Sequence, residues 1–184
     1  MAKHVCPWWM GYLLASPIRR LLENPKNLLG PYIEPGMTVL DVGCAMGFFT
    51  LPVARMVGES GRVVAVDLQP KMIASLNRRA RRSELLSRIE ARIATESCLA
   101  IGDLDGTIDL ALLMYVVHEV PDHDHLFAQI HGALRPQGRM FVAEPKGHVS
   151  PSEFDLTVAA ADRAGFRIAE RPASRGLACL FEKI

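Results

Sequence analysis

No apolar run in the chain is long enough to cross a bilayer as a helix, so a membrane-spanning helix is not expected. Excess charge is also missing. The formal net charge is +1, which gives no general pull toward nucleic acid or an anionic membrane surface. The local exception is Arg78, Arg79, Arg81 and Arg82, which read as a solvated helix end. Cysteines are few and scattered: Cys6, Cys44, Cys98 and Cys179 form no C-x-x-C pair, which excludes a dense disulfide framework and suits free thiols in a reducing compartment. The apolar Val5–Ile18 stretch is followed by Arg19 and Arg20, not by a small-residue cleavage site, which is not the order of a secretory signal. A cytoplasmic location is therefore expected. Internal repeats and low-complexity segments are absent as well.

What remains is an ordinary globular mixture, 49% apolar and 22% charged over 184 residues, enough for one domain with one sizeable core. From residue 37 onward, short apolar runs alternate with longer amphipathic ones. Strands are predicted at Met37–Val42, Arg62–Asp67, Ile89–Ile93, Ile108–Met114 and Arg139–Glu144, and a final pair at Phe166–Glu170 and Leu177–Glu182. Helices are predicted at Met46–Val57, Pro70–Arg82, Asp122–Leu134 and Ser152–Ala164. The turn Arg135-Pro136-Gln137-Gly138 separates the third of these from the fifth strand. Continuous apolar strands alternating with helices mean a mostly parallel sheet covered on both faces. The last two strands have no helix between them, so one of them runs antiparallel. Residues 1–36 do not follow the alternation. They are expected to form a helical segment across the ligand-bearing edge, ahead of a 37–184 core.

In an open α/β sheet, ligands bind beyond the carboxyl ends of the strands. The first strand ends in Asp41-Val42-Gly43-Cys44-Ala45-Met46-Gly47, where two glycines permit a tight turn and close approach of a ligand to the backbone. The second strand ends in Asp67, which is placed to accept hydrogen bonds from ribose hydroxyls. A dinucleotide site shares these parts, but its G-x-G-x-x-G fingerprint is broken here by Ala45 and Phe48. Asp41 adds a charge argument: a carboxylate about 5 Å from a pyrophosphate would cost roughly 1–3 kcal/mol even when strongly screened. A phosphate-free cation would be favoured instead.

These runs carry a resemblance. VLDVGCAMGFFT resembles the first motif of class I S-adenosylmethionine (SAM)-dependent methyltransferases, and VVAVDLQPKMI resembles the second. IDLALLMYVVHEVPD and LRPQGRMFVAEP are similar to the fourth- and fifth-strand motifs of the small-molecule branch that includes ubiquinone/menaquinone-type methyltransferases. The resemblance covers residues 35–184. It implies a Rossmann-like seven-stranded sheet, order 3-2-1-4-5-7-6, with strand 7 antiparallel and helices on both faces. It implies SAM as cofactor, S-adenosylhomocysteine (SAH) as product, and a small-molecule acceptor; the near-neutral charge argues against a nucleic acid partner, and no metal is expected from the histidine spacing. Position by position, it puts Asp41 toward the methionine amino end, Gly43, Cys44, Ala45 and Gly47 along the cofactor, and Asp67 on the ribose. Leu68 then packs on the adenine, Thr95–Cys98 flank it with Glu96 or Ser97 meeting its amine, and Met114 lines the methionyl region. Many relatives have an aspartate where Glu96 and Ser97 stand.

Candidates for a base or an acceptor-orienting group are His118, Glu144 and His148 at strand ends; each is equally a candidate for satisfying loop backbone groups. Trp8, Trp9, Tyr12, Tyr115 and Lys146 are candidates for the acceptor pocket, with Trp8, Trp9 and Tyr12 suggesting an apolar or aromatic acceptor. His118, His123 and His125 do not share one helical face and do not make the H-E-x-x-H metal pattern. Arsenite methyltransferases use clustered cysteines, unlike the four here. A SAM- or SAH-binding protein without activity, and an NAD-dependent oxidoreductase, are the competing functions.

Overall fold

The computed structural model describes Gly11 and residues 23–145, 147–172 and 176–184. Seven strands form one sheet: β1 (Thr38–Val42), β2 (Arg62–Asp67), β3 (Ile89–Ile93), β4 (Ile108–Met114), β5 (Leu134–Glu144), β6 (Phe166–Glu170) and β7 (Leu177–Lys183). Their spatial order is β3-β2-β1-β4-β5-β7-β6. Neighbours from β3 through β5 pair in parallel, and β7 pairs antiparallel with both β5 and β6. This is the order and the single reversal expected from the sequence.

The described helices are α1 (Pro25–Leu29), α2 (Thr50–Met56), α3 (Pro70–Arg82), α4 (His123–Ala133) and α5 (Pro151–Arg163). Their starts follow from side-chain chemistry. Asn24 and Asp122 accept from backbone N–H groups of the first turns of α1 and α4, and Ser150 and Glu153 form a reciprocal capping box on α5. Proline stands in the first turn of α1, α3 and α5, where its missing N–H costs nothing.

The central strands are buried on both faces, as parallel strands are. Successive side chains point to opposite layers. Leu40, Val64, Ala111 and Val142 pack with Phe127, Phe154 and Phe166 on the α4/α5 side. Val39, Val63, Leu110 and Phe141 pack with Leu51, Val53 and Leu76 on the α2/α3 side.

Two boundaries differ from expectation by more than one residue. The helix predicted from Met46 starts at Thr50, because Ala45 (φ 47°) and Gly47 (φ 83°) are left-handed and hold 43–49 as a turn. Strand β5 begins at Leu134, not Arg139. Leu134 pairs with Ile108 and Arg139 with Leu110, so the expected Arg135–Gly138 turn bulges out between two paired parts of one strand.

The chain goes from β1 outward to β2 and β3, then crosses to β4 on the other side of β1. The carboxyl ends of β1 and β4 thus border the crevice where an open sheet of this kind takes its ligand.

Candidate active site

The turn after β1 is anchored to its neighbour. The N–H groups of Gly43 and Cys44 both donate to the Val66 carbonyl, at 2.8 and 3.0 Å. Gly43 has φ 71°, and a Cβ there would come 2.5 Å from Val116. Gly47 has φ 83°, and its Cβ would meet Leu76 at 2.5 Å. Both positions therefore require glycine for backbone conformation and for protein packing. Gly43 also borders the cleft; Gly47 packs against α3.

Asp67 is the centre of the arrangement. One carboxylate oxygen accepts from the Ala45 N–H at 2.9 Å and the other from the Gln69 N–H at 2.8 Å. A carboxylate has about four acceptor positions, so each oxygen retains capacity for another donor. Burial pushes the Asp67 carboxyl above its usual range, against the two hydrogen bonds that favour its charge.

Around Asp67 lies a cleft of about 90 Å³. Val42, Val66, Leu68, Ala94, Leu99, Val120 and Leu126 make its apolar walls, and Asp67, Glu96, Glu119 and Asp122 stand at its rim with no lysine or arginine among the lining residues. Ligand pockets typically enclose about 300–1,000 Å³. The closed part therefore suits one ring system, with the rest of a ligand extending over the open sheet edge. Helix α4 supplies one wall through Asp122, His125, Leu126 and Gln129. The Gln129 side-chain oxygen accepts from the Leu99 N–H at 2.9 Å, and His125 Nε2 meets the Ser97 carbonyl at 2.8 Å, so the helix holds the loop that forms the opposite wall.

Asp41 is the next-to-last residue of β1. It is 2% exposed, on the α2 side of the sheet, and accepts the Thr50 hydroxyl at 2.6 Å. Burial pushes its carboxyl up to about 7, aided by the charge of Asp67 and opposed by the Thr50 hydrogen bond. Of the two strand-end acids, Asp67 lines the cleft and Asp41 does not. Cys44 and Met114 are buried beside the cleft without lining it, and burial pushes the Cys44 thiol up. Ala45 contributes its N–H to Asp67. Leu68 and Glu96 line the cleft, and Ser97 gives its carbonyl to His125.

The second cluster lies at the ends of β4 and β5. Glu144, 1% exposed, accepts the His118 backbone N–H at 3.0 Å and meets His118 Nδ1 at 2.6 Å. The His148 ring lies edge-on to that of His118, centroids 6.3 Å apart. The Glu144 hydrogen bond raises the His118 pKa above its ordinary value, against partial burial. His123 Nε2 meets the Val117 carbonyl at 3.1 Å, so His118, His123 and His125 each have a separate partner. Tyr115, at φ 64°, gives its hydroxyl to Glu23, and its N–H continues the ladder to Ala143 at 2.8 Å. Trp8, Trp9, Tyr12 and Lys146 lie outside the described residues.

Sequence reasoning missed the α4 wall. Asp122, His125, Leu126 and Gln129 follow the i, i+3, i+4, i+7 spacing of one helical face, which was the available signal. It also missed Thr50, whose hydroxyl is at hydrogen-bond distance from a buried acid.

A seven-stranded sheet of this order, with an acid ending β2 beside a glycine turn after β1, defines the Rossmann-like fold of class I SAM-dependent methyltransferases. The chain belongs to the methyltransferase domain family, whose model matches residues 39–138. It is 29% identical over 121 residues to an arsenite methyltransferase of Halobacterium salinarum, covering 66% of this chain and 30% of that protein. To a demethylmenaquinone methyltransferase of Lactobacillus johnsonii it is 25% identical over 119 residues, covering 65% and 48%. The chain thus matches a third to a half of the length of these relatives. A crystal structure of a SAM-dependent methyltransferase from Aquifex aeolicus superposes with a TM-score of 0.84 at 21% identity, over 97% of this chain and 98% of that one. The cofactor of the family is SAM, and the acceptor capacity left on the Asp67 carboxylate fits the hydroxyl donors of a ribose.

Proposed function

We propose that the protein transfers a methyl group from SAM to a small-molecule acceptor. The observation that carries this reading is the Asp67 carboxylate, with one backbone donor on each oxygen and acceptor capacity left on both. That is the requirement of a vicinal ribose diol. Leu68, Ala94 and Leu99 then enclose the adenine, Glu96 receives its amine, and the methionyl end passes Gly43 toward Met114 and the end of β4. The acidic rim supports a cation over a pyrophosphate, since each nearby carboxylate would repel a phosphate. The free thiols of Cys44, Cys98 and Cys179 suit a reducing, cytoplasmic setting.

Methyl transfer asks little covalent chemistry of the protein. The sulfonium supplies an activated carbon, and the chain has to hold the acceptor in line and keep water out. The test is calorimetric titration of SAH into wild type and Asp67→Ala. Loss of a charged acceptor for two ribose donors is expected to weaken binding by about 1–3 kcal/mol. Unchanged affinity would put the ribose elsewhere.

A further inference from the structure

Neither Glu144 nor His118 lines the Asp67 cleft, and the construction of the pair is that of a proton acceptor. Glu144 is buried at the last position of β5 and reaches across to the turn after β4 with both oxygens: one fixes the His118 backbone, the other its Nδ1. The Nδ1 contact assigns the imidazole proton to that nitrogen in the neutral ring and leaves Nε2 as the acceptor. No hydrogen bond to Nε2 exists among the described residues, and the side chain is 27% exposed. The turn bearing His118 also borders the cleft, because Val116 packs on Gly43 and Glu119 stands at the rim. Tyr115, which opens that turn, is held in the left-handed region, a strained conformation for a bulky side chain.

In the placement of SAM proposed above, with the adenine between β2 and the loop after β3, the methyl carbon emerges on the β4–β5 side, where this pair lies. We infer that His118, oriented by Glu144, receives the proton of the methyl acceptor, and that the acceptor is accordingly a protic molecule, a phenol or amine bearing an O–H or N–H. This inference rests on the proposed methyl transfer. The acceptor oxygen or nitrogen bonds to the methyl carbon as the carbon–sulfur bond breaks. The electron pair of that bond stays on sulfur, which becomes a neutral thioether. The acceptor's proton passes to His118 Nε2, giving an imidazolium paired with Glu144. It then leaves to water on the side of exposed His148. The charged or titratable groups around His118 are Glu144 from β5, Glu119 from its own turn, His148 from the loop after β5, and His123 of α4 behind Val117. His118 is the catalytic residue of this step and Glu144 a positioning residue.

The experiment compares wild type, His118→Gln and Glu144→Gln with SAM and a panel of substituted phenols and anilines, against dimethyl sulfide and trimethylamine as proton-free acceptors. For His118→Gln, kcat is expected to fall about 100-fold or more, most for the least acidic phenols, with SAH affinity unchanged. The wild-type rate should rise with pH through a limb above the ordinary histidine range, and Glu144→Gln should move that limb to lower pH. Preferential transfer to the proton-free acceptors, or a His118→Gln rate near wild type, overturns the inference. A readout independent of acceptor and of folding in the buried Glu144 variant is the ¹⁵N spectrum of the wild-type imidazoles. His118 should be the Nδ1–H tautomer when neutral and titrate above the ordinary histidine range; an Nε2–H tautomer overturns the pair. Absence of SAH binding in wild type would instead remove the proposed methyl transfer, while the tautomer stands or falls separately.

Discussion

Replacing Asp41 with asparagine should make the protein more stable at pH 8 and leave it nearly unchanged at pH 4. The buried carboxyl is held at about 7 against an ordinary 3.8, chiefly by loss of solvation. Between those values the folded chain keeps a proton that the unfolded chain releases. Stability therefore falls as pH rises through that window, and the loss is complete above the folded value. Three pH units at about 1.36 kcal/mol each set a ceiling of about 4 kcal/mol, and relaxation around the charge reduces it to roughly 2–3 kcal/mol. Asparagine preserves the shape and still offers an oxygen to the Thr50 hydroxyl, now at 2.6 Å from Asp41. Asp67 is raised in the same direction, so the variant keeps some of the slope. Asp103 and Glu153, both lowered, pull the other way equally in the two proteins and cancel in the difference. Urea denaturation of both proteins at half-unit steps from pH 4 to pH 8 measures the effect. The two curves should diverge between pH 4 and pH 7. Parallel curves would show that Asp41 is ionised at no special cost and would refute the reasoning.

The same buried acid couples to the cofactor. A sulfonium and an ammonium beside the β1 turn should drive Asp41 toward its charged form, so SAM binding at pH 6.5 is expected to release a proton and to tighten as pH rises toward 8. Titration heats in buffers of different ionisation enthalpy would show the release, which Asp41→Asn should reduce. Gly43→Ala places a methyl 2.5 Å from Val116 at φ 71° and should destabilise the fold by about 1–3 kcal/mol, read as a lower thermal midpoint. An unchanged midpoint would mean that the Val116 turn is not packed as described.

The strands were legible because buried parallel strands are continuous apolar runs ended by glycine, proline or acid, as in Arg62–Asp67 and Ile108–Met114. The reversed strand was legible from the short connection before Leu177. The start of α2 was not, since a left-handed alanine leaves no mark in the sequence; Ala45 is held there in part by its bond to Asp67, a contact between two strand ends. Asp67 was readable as a candidate site acid because it closes β2. The burial of Asp41 was not readable, because its sequence position does not tell which face of β1 it occupies or that Thr50 meets it. Likewise, His118 and Glu144 could be named singly, while their pairing required β4 and β5 to be neighbours with those two positions just past Met114 and at the end of the partner strand. The Leu134–Glu144 bulge followed from pairing with Ile108, which no local turn signal encodes.

The most direct test of the central claim is a calorimetric comparison of SAM, SAH and NAD with the unmodified protein. Binding of SAM and SAH at one site, with no heat from NAD, is the result that an acidic-rimmed cleft centred on Asp67 predicts. Binding of NAD without SAM or SAH would contradict it.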